Sequence, residues 1–202
     1  MANQMYYAKN PVVSHDERNL SYTLAGKTLS FVSDSGVFSK LRVDYGTGVL
    51  LEQMSLLKKP ASVLDLGCGY GPLGLFAAAW WPKIKVDLVE VNERALALAR
   101  KNARANGLGV NIFASDGYEQ VKDKYDLIVT NPPIRAGKKV VTTFLSGASA
   151  HLNPGGKLLV VIQKKQGEPS AKKLMTRTFG NCTILKRDKG YYVLQSEVED
   201  VH

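Results

Sequence analysis

Short segments of this 202-residue chain hold residue types at spacings that could do chemistry. Asp65-Leu66-Gly67-Cys68-Gly69-Tyr70-Gly71-Pro72-Leu73-Gly74 closes an apolar run that begins at Ser62. Glycines there let a turn take positive φ and let a ligand approach the backbone closely. A helix opening at Pro72 would add free N–H groups to the same spot. Gly69, Gly71 and Gly74 satisfy the GxGxxG pattern, and Glu90 follows at about the 20-residue interval of a dinucleotide fingerprint. Two details favour a different nucleoside ligand. Asp65, just ahead of the first glycine, could hold a cationic or ammonium-bearing group. A later apolar run ends in Asn131-Pro132-Pro133-Ile134, a motif a nicotinamide enzyme does not need.

The elements that must position these residues alternate. SVLDLG, KVDLVEV, VNIFAS, YDLIVT and GKLLVVIQ read as short apolar strands. Between them PLGLFAAAWW, Glu93–Asn106 and residues 138–151 read as helices, and residues 169–179 follow as another. Asn92 caps the second of these, Ala95, Leu96, Ala99 and Ala103 form its buried face, and Arg94, Arg100, Lys101 and Arg104 stay in water. Gly107 is its expected stop. Upstream, residues 20–33 read as a hairpin around Ala25-Gly26-Lys27, and residues 46–57 as a helix ended by Lys58-Lys59-Pro60. CTILKRDKGYYVLQSE reads as a closing hairpin that turns at Asp188-Lys189-Gly190. Alternating strands and helices predict an α/β fold, a doubly wound and mostly parallel sheet with helices on both faces. The closing hairpin supplies one antiparallel strand. Ligands in such sheets bind beyond the carboxyl ends of the strands, which is where these segments fall.

Composition narrows the classes. The residues are 45% apolar and 22% charged, which suits a globular domain and excludes collagen-like and disordered chains. A net charge of +9 suggests a polyanionic partner, most often nucleic acid. Cys68 and Cys182 stand far apart, and His15, His151 and His202 show no ligand spacing. No metal site is expected, and the chain reads as a reduced cytoplasmic protein. No secretory signal or membrane span is visible.

Taken together, D65-L-G-C-G-Y-G, Glu90, Ser115-Asp116 and N131-P-P-I resemble a class I S-adenosylmethionine-dependent methyltransferase over roughly residues 60–197. The segment Phe38–Gly48 and the run Asn131–Lys138 are similar to the small-subunit ribosomal RNA guanine-N2 methyltransferases, extending the likeness back to about residue 20. Known enterobacterial members carry two tandem methyltransferase-like halves, and this chain resembles the catalytic one. The resemblance implies a Rossmann-like sheet of seven strands with one antiparallel. It also implies an N-terminal extension with a β-hairpin over 1–45 and a methyltransferase domain over 46–202. The cofactor would be S-adenosylmethionine, leaving as S-adenosylhomocysteine. The partner would be ribosomal RNA or the small ribosomal subunit.

By the same resemblance, Gly67, Cys68, Gly69 and Gly71 would lie against the methionine part of the cofactor, with Asp65 close to that end. Glu90, with Val91 beside it, would accept from the ribose hydroxyls. Ser115, Asp116 and Gly117 would meet the adenine edge, and Thr47 would close over the methionine carboxylate. Asn131, Pro132 and Pro133 would be catalytic. An exocyclic amine is a poor nucleophile because its lone pair is delocalised into the ring. Two acceptors aimed at its two N–H bonds, the Asn131 side-chain oxygen and the Pro132 carbonyl, would turn that lone pair toward a methyl group. Proline preorganises them. Family members often carry Tyr or Phe where this chain has Ile134, which offers no π face; another residue could stack instead, with Phe38 one candidate, though it could equally be core. Arg135 and Lys138 would meet phosphate or a base edge. The same geometry could serve a protein glutamine amide, and a nucleotide- or RNA-binding module without catalysis is the third reading.

Overall fold

A computed structural model describes residues 8–200; residues 1–7 and 201–202, including His202, lie outside the described residues. Five strands run parallel: β3 (Ser62–Leu66), β4 (Lys85–Glu90), β5 (Asn111–Ala114), β6 (Tyr125–Thr130) and β7 (Leu152–Gln163). With β8 (Thr183–Asp188) and β9 (Tyr191–Glu197) they form a seven-stranded sheet in the order β5-β4-β3-β6-β7-β9-β8. β9 inserts between β7 and β8 and is antiparallel to both, so one strand runs against the rest, as expected. The turn that allows this is Lys189-Gly190, with φ of 43° and 82°. Two successive positive φ values match the twist of a tight hairpin.

The helices are α1 (Tyr45–Met54), α2 (Pro72–Trp80), α3 (Glu93–Ala105), α4 (Lys138–Gly147) and α5 (Glu168–Phe179). Apolar residues of α1, α2 and α3 share one buried cluster with one face of the sheet; those of α4 and α5 share a second cluster with the other face. β3 is buried at every position because both faces are covered. The chain leaves β3 toward β4 and β5, then returns to place β6 on the other side of β3. That reversal opens a crevice at the carboxyl ends of β3 and β6. The glycine loop follows one strand and Asn131 the other.

The N-terminal hairpin pairs β1 (Arg18–Leu24) with β2 (Lys27–Ser33) across Ala25-Gly26. Leu29 and Phe31 enter the same cluster as Leu50 and Phe76. Buried Asn102 of α3 stitches the hairpin to the glycine loop. It accepts from Val32 N at 2.7 Å and donates to Val32 O at 3.0 Å and Tyr70 O at 2.9 Å.

The structure corrects the expectation of a solvated Arg94. Its side chain is only 13% exposed and lies 3.8 Å from the buried Asp34 carboxylate. It donates to the carbonyls of Ser35 at 2.6 Å, Val13 at 2.8 Å and Pro11 at 3.3 Å. Residues 11–13 and 34–35 therefore close over the start of α3, an arrangement helical periodicity does not encode. Arg94→Ala should destabilise the protein by about 2–3 kcal/mol, the scale of a hydrogen-bonded charge, with readier proteolysis near residue 13. Urea unfolding and limited digestion check both.

Boundaries differ modestly. α1 stops at Met54, where the Ser55 hydroxyl turns back onto Glu52 O, before Lys58 is reached. Residues 148–151 form a 3-10 turn rather than the last turn of α4. β7 starts at Leu152, pairing with Tyr125 before a bulge.

Candidate active site

The glycine loop is fastened to β4 by the N–H groups of Gly67 and Cys68, which both donate to Val89 O, at 3.0 and 2.9 Å. Gly71 N donates to Cys68 O at 3.0 Å and closes the turn that launches α2. Gly74 serves packing: a Cβ there would come within 2.6 Å of Leu88, so its absence brings α2 down onto the sheet. Cys68 is buried, and burial pushes its thiol well above the usual range.

Asp65, at the end of β3, is fully buried. One oxygen accepts from Gly74 N at 2.8 Å, and the other has no partner among the described residues. Burial drives the carboxyl up to about 7, against the pull of the Gly74 N–H and with the nearby Glu90 charge adding to the rise. A buried, unsatisfied acceptor beside a cavity is costly unless a donor arrives. A ligand ammonium would meet that need.

Glu90 ends β4. It accepts from Gly69 N at 2.8 Å on one oxygen and from Val91 N at 2.8 Å and Asn92 N at 2.9 Å on the other. Burial raises its pKa and these N–H groups oppose the rise. Three backbone donors fix the carboxylate's plane and leave acceptor capacity for a hydroxyl, since a carboxylate has about four acceptor positions.

Asn131 follows β6. Its amide nitrogen donates to Asp44 Oδ2 at 3.1 Å and Thr47 Oγ1 at 3.0 Å. The same Asp44 oxygen caps α1 by accepting from Thr47 N at 3.1 Å. An ionised carboxylate only accepts, so the amide nitrogen must face α1 and the side-chain oxygen must turn away from it. Pro132 and Pro133 carry the chain into a short 3-10 turn, Ile134–Ala136.

One cavity of 460 Å³ gathers most of the residues singled out in the sequence. Phe38, Thr47, Asp65, Gly67, Cys68, Gly69, Glu90, Asn131, Pro132, Pro133, Ile134 and Arg135 all line it. Others stand outside its lining. Gly71 sits in the turn beneath, and Val91 donates to Glu90. Ser115 builds a turn, donating to Gly117 O at 2.8 Å and accepting from Gln120 N at 3.1 Å. Asp116 is exposed and borders a shallower depression with Tyr118, Lys139 and Phe144. Lys138 opens α4 in water. Gln163, Gln166 and Tyr191 also line the cavity and were missed as site residues. The only signal that could have found Gln163 is its place at the end of a predicted strand. Among the described residues no His, Cys, Asp and Glu side chains cluster as a metal site, and no helix is long and apolar enough to cross a membrane.

Comparison with known proteins agrees with this geometry. Residues 28–195 match the model of the methyltransferase small domain. The chain is 40% identical over 195 residues to an uncharacterized Bacillus subtilis protein, YbxB, covering 95% of this chain and 97% of that one. It is 34% identical over 180 residues to a Vibrio vulnificus ribosomal RNA small subunit methyltransferase C, covering 87% of this chain and 52% of the relative. A solved T. thermophilus 16S rRNA N2 G1207 methyltransferase, in complex with AdoMet and guanosine, superposes with a TM-score of 0.83 at 31% identity. That match covers 94% of this chain and 52% of the other, so the chain spans about half the length of the ribosomal methyltransferases it resembles. The chain belongs to the methyltransferase small-domain family, as a class I S-adenosylmethionine-dependent methyltransferase of the ribosomal small-subunit methyltransferase C type.

Proposed function

We propose that this cavity transfers a methyl group from S-adenosylmethionine to the exocyclic N2 amine of a guanine in small-subunit (16S) ribosomal RNA, in the cytoplasm. The observation that carries the reading is the fixed attitude of Asn131, whose amide nitrogen is pinned by Asp44 and Thr47. The oxygen that remains is held ready to accept an N–H from the incoming amine, with the Pro132 carbonyl as the second acceptor. Their partial negative charge stabilises the cation that develops on the nitrogen, at no cost of reorganisation. The amine's proton becomes acidic once the nitrogen is methylated, so no strong general base is required.

The cofactor supplies an electrophilic methyl on a sulfonium. Asp65, with its unpartnered buried oxygen, suits the ammonium end, and the Gly67–Gly71 turn suits the methionine chain. Glu90 accepts from ribose hydroxyls. Asp116, with the Ser115–Gly117 turn and Val91, serves the adenine edge. The Phe144 ring reaches both Gly67 and Gly117, and Asp116 borders the depression beside it. Exposed Lys138 and the cavity-lining Arg135 are suited to RNA phosphate, a contact that weakens with salt.

Labelled cofactor and unmodified small-subunit RNA, digested to nucleosides, should yield N2-methylguanine. N6-methyladenine, or label in protein glutamine, would overturn the substrate. Asp44→Ala tests the pinning of Asn131 separately. It removes a helix cap worth about 1 kcal/mol and frees the amide to rotate. Turnover should fall about 10- to 100-fold, the scale for a misplaced catalytic group, measured under saturating cofactor.

A further inference from the structure

Three adjacent strands deliver side chains to one face of the sheet at its cavity end. Leu127 and Val129 of β6 enter the cluster beneath α1, and the alternation carries Asn131 to the same face. Leu159 and Val161 of β7 do likewise and lead to Gln163; Val193 of β9 does so and is preceded by Tyr191. The register aligns Val129 with Leu159, Val161 with Val193 and Gln163 with Tyr191. Gln163 and Tyr191 thus form a cross-strand pair one same-face step, roughly 7 Å, beyond the level of Asn131. Both line the cavity that Asn131 and Pro132 line.

The pair is held in place. The Tyr191 ring packs against Tyr45 with centroids 5.6 Å apart. It also lies over Gly46, where a Cβ would come within 2.7 Å of the ring. Burial raises the Tyr191 pKa, and the neighbouring Gln163 side chain works against that rise. The Gln163 carboxamide carries a carbonyl acceptor and N–H donors.

Resting on the guanine reading above, we propose that Gln163 is the residue that reads the base as guanine, and that Tyr191 supplies the π face Ile134 lacks. With the N2 amine held by Asn131 and Pro132, the edge of guanine continues with the N1–H donor and then the O6 acceptor. A carboxamide presents an acceptor and a donor side by side, complementary to that pair. An adenine or cytosine amine brings a ring nitrogen lone pair where N1–H stood, leaving the Gln163 oxygen facing another acceptor. A buried polar mismatch of this kind is what discriminates strongly between isosteric ligands. Gln163 therefore acts on base identity, while Asn131 acts on the transfer itself.

2-Aminopurine riboside separates the two roles, because it keeps the N2 amine but lacks both O6 and the N1 proton. Binding of guanosine and 2-aminopurine riboside is measured by calorimetry on protein saturated with S-adenosylhomocysteine, so no turnover is needed. The wild-type protein should prefer guanosine about tenfold or more, the yield of one good bidentate pair. Gln163→Ala should bring the two within about twofold. Gln163→Met keeps roughly the size but neither accepts from N1–H nor donates to O6, and should do the same without opening a cavity. Tyr191→Leu should weaken both nucleosides alike, by about tenfold or more, as loss of a stacking ring does. A guanosine preference that survives both Gln163 variants overturns this assignment and leaves the methyltransferase reading standing. A wild-type protein that binds neither nucleoside overturns both.

Discussion

Asn131→Ala should lower the rate of methyl transfer by about 10²–10³-fold, the usual cost of one preorganised acceptor or donor at a reacting centre. The side chain supplies one of two acceptors that orient the amine, and the Pro132 carbonyl alone leaves the nitrogen free to turn its lone pair back into the ring. S-adenosylmethionine affinity should change little, because the cationic end of the cofactor is assigned to Asp65. The Asp44 cap on Thr47 N does not pass through Asn131, so α1 should keep its start. Single-turnover kinetics with labelled cofactor, paired with a direct binding titration, separate the two quantities. Full activity in this variant, with binding intact, would remove the acceptor mechanism.

Asp65→Asn should move stability and binding in opposite directions. The carboxyl ionises near 3.8 in an unfolded chain and at about 7 when buried in the folded one. Between those values the native state holds a proton the unfolded state has lost. Stability from this group is therefore complete below about pH 4 and drains away as pH rises through 7. The amide is neutral at every pH and avoids the penalty. At pH 8 the ligand-free variant should gain on the order of a few kcal/mol, seen as a higher melting temperature that converges with wild type in mild acid. Cofactor affinity should fall about 10- to 100-fold, the value of a hydrogen bond to a charged group. In the wild type, binding below pH 7 should release a proton as the ammonium draws Asp65 into its ionised form. Calorimetry in buffers of different ionisation enthalpy detects that proton.

What could be read from the chain beforehand was what neighbours along it decide. The βα rhythm, the glycine turn ahead of Pro72, the Asn92 cap and the Lys189-Gly190 hairpin are local patterns, and each stands as expected. The strand-end rule brought Asp65, Glu90 and Asn131 to one crevice because each terminates its own strand. What escaped depends on residues far apart in sequence. Arg94 sits on a helix face like any solvated arginine, and its partners lie some eighty positions earlier. The tie from Asn131 to Asp44 crosses 87 positions. Tyr191 looked like one more alternating strand residue until β9 was placed beside β7. The Ser115 hydroxyl closes its own turn, a local tie that the sequence alone did not single out.

The insertion of β9 between β7 and β8 also bears on how the protein is made. Elongation delivers β7 and β8 first, and in the finished sheet neither neighbours the other, since β9 belongs between them. A nascent molecule halted near residue 190 would expose the open edge of β7, an invitation to association with other unfinished chains. It would also lack one wall of its own binding chamber. A chamber that needs Tyr191 as one of its walls thus forms only once β9 has been translated.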